Sequence, residues 1–550
     1  MTSKFVLKLL RSGVAKSSLP SITDVGVIGE PIFTRPSFVD TVNDIRVQYA
    51  KRNVEAIPGV DTIYVVSIGV DEQGSTLVAI MSDGKMYSIG YSDWGYYAGA
   101  ELTDPFIIES PSAGNLARIA LRQAEGGLLL DENGLLYALG YFDWMSTIPP
   151  TYDYNSMELG AGSRVQTFLV YPYDNSPVLS TLGRGQYPSA GIDADTKLWI
   201  WGSDGGGWGL LGQDYRFDID GWAYDYVPIE IWTGIWRGVA NVGWTHIHCG
   251  WQSVHGIREG GLWFWGPNVS GIGGLGCDQY LDDNRGHKWT LSSNGSNEYY
   301  VEKLAGGDPE IVEPTQMHVY WPGYTGFLEK GIIGGLSIGE WNWGDNDGLG
   351  YSTVYVRLKN NADPDGYTNA MRPQWNAPVR VGIDSDWAKV MCQEETTVAL
   401  KTNGVLYGWG NNYKGSMGHD PGTCVDYDRV DTTPPITWCE HWTPKNISQG
   451  KTFVDFSAGY YHIIALESDG TAWVIGLDGG EGCLGLGDSV DSLYEWTEIP
   501  NIKFDKIECH YGVSIGLGLD GKVYFWGYVG VGESYYYTPT HWNFGDYWEE

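Results

Sequence analysis

The sequence predicts an all-β protein, a β-propeller built from repeated four-stranded antiparallel blades. Three observations predict it: short apolar runs rich in Val, Ile, Trp and Tyr, turn dipeptides between these runs, and recurrence of the whole pattern along the chain. A unit that recurs every few tens of residues buries its apolar face only against its neighbours. Four strands per unit, arranged around an axis, leave only short edges, and this is the propeller arrangement.

The clearest unit spans residues 388–418, where two apolar runs flank the pair Asn403-Gly404. Asn-Gly between two β-prone runs is the strongest short-range hairpin signal, because a two-residue turn requires positive φ. Turn positions of similar hairpins, including weaker copies, recur at Gly84, Gly134, Asp195, Gly260, Gly335, Gly470 and Gly521. Their spacing of roughly 50 to 75 residues fits one blade each. We expect seven blades, and eight are possible because the hairpin near Gly335 is a further weak candidate.

Several motifs recur with these hairpins. They are best seen in Gly459-Tyr460-Tyr461-His462, Asp469-Gly470, Trp409-Gly410-Asn411-Asn412 and Gly415-Ser416-Met417-Gly418. This pattern resembles the regulator of chromosome condensation repeat family over roughly residues 61–532. The resemblance implies a ring of seven blades and, as a function, guanine-nucleotide exchange on a small GTPase. His462 falls on the histidine position of the repeat, where we expect a hydrogen bond within its own blade.

The chain divides into three parts. Residues 1–60 form an N-terminal arm interrupted by prolines, residues 61–534 form the propeller, and residues 535–550 form an aromatic tail. The tail either packs as a closing strand or docks onto another protein. Within the propeller the repeat signal lapses at loop insertions near residues 277–326, 359–378 and 421–445. Long insertions in a propeller lie on one face and often make contacts.

The charge balance excludes several partners. The chain has 34 Lys and Arg against 68 Asp and Glu, a formal net charge of -34. Nucleic acids and anionic membrane surfaces are bound through Lys and Arg, so neither is an expected partner. No secretory signal is evident, and no apolar run is long enough to span a bilayer. We therefore expect no membrane insertion, and a location in a virion or otherwise in the cytoplasm.

The sequence predicts no catalytic residues, no cofactor and no metal. Glycine patterns at residues 207–212 and 271–276 follow strands but open no helix, so they cannot hold a dinucleotide. Residues 361–366 resemble the start of a calcium loop, but Arg372 occupies the place of its closing Glu. His246 and His248 can share one face of a strand, although no third ligand accompanies them.

The chain has 7 cysteines and no Cys-x-x-Cys motif, so we expect neither a zinc site nor a disulfide framework. Cys249, Cys392 and Cys509 occupy the repeat position that Ala458 holds in another unit. This position needs a small buried side chain, and a free cysteine behaves as one.

Tryptophans outside the repeat core are candidate contacts for a protein partner or a glycan, since exposed Trp stacks on sugars and anchors interfaces. They are Trp94, Trp144, Trp208, Trp222, Trp341 and Trp375.

We interpret the chain as a non-enzymatic structural or interaction propeller. The most concrete version is a virion or tail-associated protein of a phage, since residues 1–60 bear a faint resemblance to connecting segments of such proteins. The arm would bind other subunits of an assembly, and the propeller would face outward for decoration or for adhesion to a host surface protein or glycan. One alternative is a cytoplasmic small-GTPase regulator of the exchange type. Another is a glycan-binding propeller.

Overall fold

The computed structural model describes residues 32–33, 47–48, 64–70, 76–82, 84, 86–90, 102–109, 116–121, 126–140, 165–167, 171–172, 177–185, 187–203, 208–213, 224–231, 240–251, 253–281, 287–302, 314–321, 324–349, 353–366, 371–415, 417–424, 427–430, 438–487, 490–529 and 534–542. These residues fall into two units: Met1–Thr62 with Leu519–Gly521, and Ile63–Gly518 with Lys522–Glu550. In the first unit β1 (Ile32–Phe33) pairs antiparallel with β2 (Val47–Gln48). Most of the expected arm lies outside the described residues.

The second unit begins with three antiparallel sheets. The first sheet contains β3 (Val65–Val70), β4 (Thr76–Met81), β5 (Met86–Gly90) and β6 (Leu102–Glu109), with β10 (Val165–Thr167) parallel to β6. The second contains β7 (Leu116–Leu121), β8 (Gly126–Asp131), β9 (Leu136–Gly140) and β11 (Tyr171–Pro172). The third contains β12 (Leu179–Arg184), β13 (Pro188–Asp193), β14 (Leu198–Ser203) and β15 (Tyr224–Glu230). Each is a meander, in which sequential strands pair.

Four more sheets of the same kind follow. The fourth contains β16 (Trp244–Cys249), β17 (Val254–Arg258), β18 (Gly261–Gly266) and β26 (Met371–Val381), extended by β21 (Gln316–Trp321) and β22 (Tyr324–Phe327). The fifth contains β27 (Trp387–Gln393), β28 (Thr396–Lys401), β29 (Leu406–Asn411) and β31 (Cys439–Asn446), with β30 (Arg429–Val430) at its edge. The last two share β35 (Ser492–His510). The sixth adds β32 (Asp455–Ala458), β33 (His462–Leu466) and β34 (Thr471–Leu477), and the seventh adds β36 (Val513–Gly518), β37 (Val523–Val529) and β38 (Ser534–His541).

A separate sheet is inserted between the third and fourth strands of the fourth blade. It contains β19 (Thr290–Leu291), β20 (Tyr299–Val301), β25 (Val354–Arg357), β24 (Glu340–Trp343) and β23 (Glu329–Lys330). The weak repeat copy near Gly335 belongs to this inserted sheet. Short 3-10 turns in this and the next connection are Val269–Gly271, Lys359–Asn361, Pro364–Gly366, Tyr413–Gly415 and Pro421–Thr423.

The first strands of the blades form a closed ring. Each of β3, β7, β12, β16, β27, β32 and β35 contacts the next, and β35 contacts β3. The prediction of an all-β propeller is confirmed. The core lies between adjacent blades, because each sheet packs apolar side chains against its neighbours; Leu77 and Ile68 of the first blade pack with Ile515 and Phe525 of the seventh. The described part of the expected tail, β38, pairs with β37 of its own blade.

A tryptophan of one blade fastens it to the loop of the preceding blade. Trp265 donates its indole N–H to the carbonyl of Leu210 at 2.8 Å, and Trp526 donates to the carbonyl of Cys483 at 2.9 Å. The acceptors lie in the glycine-rich segments that follow the third strands. At Gly485 φ is +72° and an added Cβ would lie 2.8 Å from Nε1 of Trp526, so the loop needs glycine there. The repeated Trp-Gly motif of one blade thus contacts the glycine-rich Leu-Gly segment of the preceding blade.

A buried histidine also links two blades. His462 of the sixth blade is fully buried, and its Nε2 forms a 2.7 Å hydrogen bond with Oγ of Ser514 in the seventh. The expectation of a hydrogen bond within the same blade is wrong, because β33 places this side chain toward the neighbouring sheet. Burial lowers the pKa of His462 to about 3, so the imidazole is neutral in the folded protein near neutral pH.

We predict that Trp265→Phe destabilises the protein by about 1–3 kcal/mol more than Trp375→Phe. Both indoles are fully buried, but of the two only Trp265 donates its N–H to a described partner; the indole nitrogen of Trp375 has no hydrogen-bond partner among the described residues. Both changes remove the same ring atoms, so the difference isolates the hydrogen bond. Urea unfolding curves measure it, and equal losses in the two variants would contradict the role we assign to this bond.

We predict that the free energy of unfolding falls as pH drops from 6.5 toward 4, and that His462→Gln reduces this fall. The folded pKa of His462 is lowered to about 3, so below pH 6.5 the unfolded chain takes up a proton that the folded chain refuses. This proton uptake lowers the free energy of unfolding by at most about 2 kcal/mol between pH 6.5 and 5. Denaturant unfolding at both pH values measures this loss, and His541→Gln, which changes an exposed histidine, is the control. If the free energy of unfolding of His462→Gln depends on pH as strongly as that of the wild type, His462 is not the group responsible.

Candidate functional site: the central pocket and the loop-bearing face

Chain direction brings two sets of loops to the same end of the ring. In an antiparallel meander, the connections from first to second strand and from third to fourth strand lie at one end. The hairpin turns from second to third strand lie at the other end. We call the first end the loop-bearing face. It holds the described parts of the insertion of residues 267–370 and of the connections of residues 412–438 and 478–491. Ser270 in the insertion donates to Glu395 Oε2 at 3.0 Å, so the two sets of loops are in contact.

A pocket at the axis of the ring extends to this face, where its lining includes turns that join first to second strands. Its volume is about 540 Å³, and residues of all seven first strands line it. Its mouth is formed by residues two positions beyond the small-residue slot of the repeat, the slot occupied by Cys249, Cys392, Ala458 and Cys509. The mouth residues are Trp251, Glu394, Tyr460 and Tyr511. Sequence reasoning found the slot but missed these residues, although their constant offset from it was visible.

Basic side chains in the pocket wall are held by neighbouring blades. Lys389 Nζ lies 2.6 Å from Oδ1 of Asp455 and donates to the carbonyl of Phe456 at 2.6 Å, which joins the fifth and sixth blades. Lys506 Nζ donates to the carbonyl of Val66 at 2.9 Å, which joins the seventh blade to the first. These lysines therefore fasten blades together at the axis.

His246 and His248 both contact the next inner strand, so they share one face of their own strand, as their spacing allows. His246 donates from Nε2 to the carbonyl of Val390 at 2.9 Å, and His248 accepts the backbone N–H of Cys392 at Nδ1, 3.2 Å away. Burial, and secondly the charge of Lys389, lower the pKa of His246 to about 4. Near neutral pH the imidazole is therefore uncharged and acts as a hydrogen-bonding group.

The described free cysteines are all buried: Cys249, Cys277, Cys392, Cys483 and Cys509. This confirms the predicted packing role of the three cysteines in the repeat slot. Burial raises the pKa of both Cys392 and Cys509 to about 12, which keeps these thiols protonated. A reactive cysteine needs the thiolate form. The pocket wall thus offers hydrogen bonds and apolar contacts, and these thiols are not activated nucleophiles.

The mouth of the pocket is aromatic and acidic. The rings of Tyr460 and Tyr511 stack with centroids 5.4 Å apart, and Tyr461 packs edge-on against both. Burial, and secondly the charge of Glu394, raise the pKa of Tyr460 to about 12. Glu394 and Tyr511 have φ of 38° and 40°, a conformation that costs a residue other than glycine roughly 1–3 kcal/mol. The same strained turn therefore presents a carboxylate in the fifth blade and a phenol ring in the seventh.

Two of the cysteines are joined by a disulfide. Cys424 and Cys439 form a disulfide across the connection of the fifth blade, so the expectation of no disulfide is wrong for this pair. Their separation of 15 residues matches no motif, and only the fold brings Cys424 beside the start of β31. Nε2 of His441 lies 3.5 Å from Sγ of Cys424.

Three of the candidate contact tryptophans lie among the described residues, and none of these three is exposed. The side chains of Trp341 and Trp375 are 1% and 0% exposed, which places them in the core and out of reach of a partner. Trp208 is partly buried and packs edge-on against Tyr187, with ring centroids 5.4 Å apart. Trp94, Trp144 and Trp222 lie outside the described residues.

Comparison with known proteins agrees with this architecture. Residues 403–466 match the model of the regulator of chromosome condensation (RCC1) repeat. Prp20p of Saccharomyces cerevisiae superposes with a TM-score of 0.50 at 15% sequence identity, covering 82% of each chain. The chain thus has the fold of an RCC1-type β-propeller, and residues 403–466 match one RCC1 repeat.

Curated relatives of this RCC1-type propeller match over shorter stretches. The regulator of chromosome condensation of Xenopus laevis is 29% identical over 144 residues, which are 25% of this chain and 30% of that protein. The RCC2 homolog of the same organism is 27% identical over 135 residues, 24% of this chain and 23% of that protein. The chain thus matches less than a third of the length of either relative. Among the helices in the described parts of the chain, none has the length and apolar character needed to cross a membrane.

Proposed function

We propose that this propeller is a protein-binding module that docks its partner on the loop-bearing face, and that the partner is a small GTPase whose nucleotide exchange it promotes. The observation that carries the proposal is the concentration of the insertions and the pocket mouth on one face of the ring. The choice of partner rests on the RCC1 repeat at residues 403–466 and on the exchange activity that the family resemblance implies. Nucleotide exchange requires only that the protein bind the GTPase and displace its nucleotide, so it needs no activated nucleophile.

The inserted sheet supplies apolar contact surface. Ile332 and Ile338, in the segment between β23 and β24, are 80% and 53% exposed. Glu298 orders this segment by accepting the backbone N–H groups of Gly334 and Leu336, at 2.9 and 2.7 Å. Exposed isoleucines on a well-ordered segment suit the apolar centre of an interface with a polar rim.

Charge favours a partner with a basic surface. The mouth carries Glu394, Glu395 follows it in the same turn, and Glu481 of the sixth blade lies beside Gly512 at the same end. Together with the net charge of -34, these carboxylates would steer a basic partner toward this face. Prp20p has been described with its binding properties to Gsp1p and histones, and in complex with Kap60. Those partners belong to that protein, and they support a protein ligand for this one.

The comparisons support the GTPase hypothesis better than the virion hypothesis. The virion hypothesis depends on residues 1–60, most of which lie outside the described residues, and it stays a prediction. The glycan hypothesis also stays a prediction, because Trp144 lies outside the described residues and Trp208 is packed against Tyr187. The prediction that the protein is not an enzyme is compatible with exchange activity but is not tested by it.

We predict that the protein accelerates release of fluorescent GDP from at least one of a panel of purified small GTPases by tenfold or more. The double variant Ile332→Asp/Ile338→Asp should lose at least tenfold of this acceleration, because it places two charges in the apolar centre of the interface. Stopped-flow fluorescence measures the rates, and titration calorimetry with the same GTPases and with Gsp1p measures binding.

The matched control is Ile383→Asp. Ile383 is 91% exposed but follows the fourth strand of its blade, so it lies at the opposite end of the ring. This variant should keep full activity. If the protein binds a GTPase but does not accelerate release of GDP, the exchange role is overturned and only the docking role remains. Equal losses in the double variant and in the control would overturn the docking face.

A further inference from the structure

The connection between the third and fourth strands of the fifth blade gathers soft metal ligands. Sγ of Cys424, Sγ of Cys439 and a ring nitrogen of His441 lie within 4.8 Å of one another. Cys439 and His441 are buried and Cys424 is partly exposed, which leaves a route from solvent. We propose that this cluster is a redox-gated zinc site, in which the disulfide is the closed form and the reduced pair with His441 binds one Zn²⁺.

The ligand set fits zinc. Thiolate sulfur and imidazole nitrogen are the donors that zinc prefers, whereas calcium and magnesium prefer oxygen. Two sulfurs on a tetrahedral zinc, with bonds of about 2.3 Å, lie about 3.8 Å apart. The Cα atoms of Cys424 and Cys439 are 6.6 Å apart, near the wide end of the range for disulfides, so the sulfurs can separate by side-chain rotation. A solvent molecule would complete the four ligands.

The surroundings favour a cation. Asn412 donates from Nδ2 toward Sγ of Cys439 at 3.6 Å, which orients the sulfur. Glu440, between two of the ligands, is 2% exposed and pairs with Arg429 at 3.2 Å. Asp278 and Asp428 are further carboxylates beside this strand: Asp428 accepts the backbone N–H of Trp442 at 2.6 Å. A divalent cation would offset this concentration of negative charge.

The chemistry balances in two steps. A dithiol reductant transfers two electrons and two protons to the disulfide, so the bond between Cys424 and Cys439 breaks, two thiols form, and the reductant becomes a disulfide. Zn²⁺ then displaces both thiol protons to solvent and binds the two thiolates and the neutral imidazole of His441. In the reverse direction a small-molecule disulfide accepts two electrons from the two thiolates and takes up two protons to become a pair of thiols, while the bond between Cys424 and Cys439 forms again and Zn²⁺ is released.

We predict that the full-length protein, reduced with a dithiol and desalted without oxygen, binds one equivalent of Zn²⁺ with Kd below about 1 μM. The oxidised protein should bind at least 100-fold more weakly, because its sulfurs are bonded to each other. Competition with a chromophoric zinc chelator measures affinity, and Co²⁺ substitution shows thiolate ligation through its charge-transfer absorption. Zinc should also raise the melting temperature of the reduced protein only.

Variants distinguish the loss of a zinc ligand from a general effect of a substitution on folding. Cys424→Ser and His441→Gln should each weaken zinc binding at least tenfold, whereas Cys509→Ala, which changes a buried free cysteine on an inner strand, should bind as the wild type does. His441→Gln keeps the disulfide and can be purified in its cross-linked form, so it tests the ligand even if Cys424→Ser folds poorly. Failure of the reduced wild type to take up zinc, or wild-type affinity in His441→Gln, would overturn the proposal.

Discussion

The structure depends on one contact repeated between blades: a buried tryptophan indole packed on a glycine loop of the preceding blade. Trp409 donates to the carbonyl of Ile272 at 2.6 Å, and Thr397 of the same blade donates to that oxygen at 2.9 Å. His255 adds a third hydrogen bond from the preceding blade. A buried carbonyl that collects three donors is costly to separate from them, since each group would lose its partner without gaining water. The ring is therefore held by polar contacts embedded in apolar packing.

This contact also sets where function can lie. The glycine segments that accept the indoles lie within the connections between third and fourth strands. Anything longer inserted there must project from the same end of the ring as the pocket mouth. The inserted sheet and the disulfide at Cys424 and Cys439 follow this rule, and the strained turns at Glu394 and Tyr511, which join first to second strands, lie at the same end. A partner docked on this face would meet all of them together.

The repeat made most of the architecture predictable from the sequence, because hairpin turns such as Asn403-Gly404 and the Trp-Gly pairs depend on local backbone chemistry. Contacts between distant segments were not predictable. The partner of His462, Ser514 in the next blade, and the pairing of Cys424 with Cys439 depend on how sheets and connections pack. Burial of Trp341 was missed because it follows only a weak copy of the repeat, and burial of Trp375 was missed because it lies in an insertion without a repeat signal. The mouth residues were within reach, since Trp251 and Tyr460 share one offset from the small-residue slot.

Each described blade is built from strands in sequential order, and the seam between first and last blades is closed by apolar packing and the hydrogen bond from Lys506 to Val66. No strand is exchanged across this seam among the described residues. The chain could therefore be circularly permuted at a connection between blades, such as the one after β26, without dividing a sheet. The exceptions are the junction inside β35, where one continuous strand serves two blades, and the connection after β6, because β10 from the second blade pairs with β6 of the first. New termini at the permitted connections would emerge opposite the pocket, leaving its mouth open to a partner.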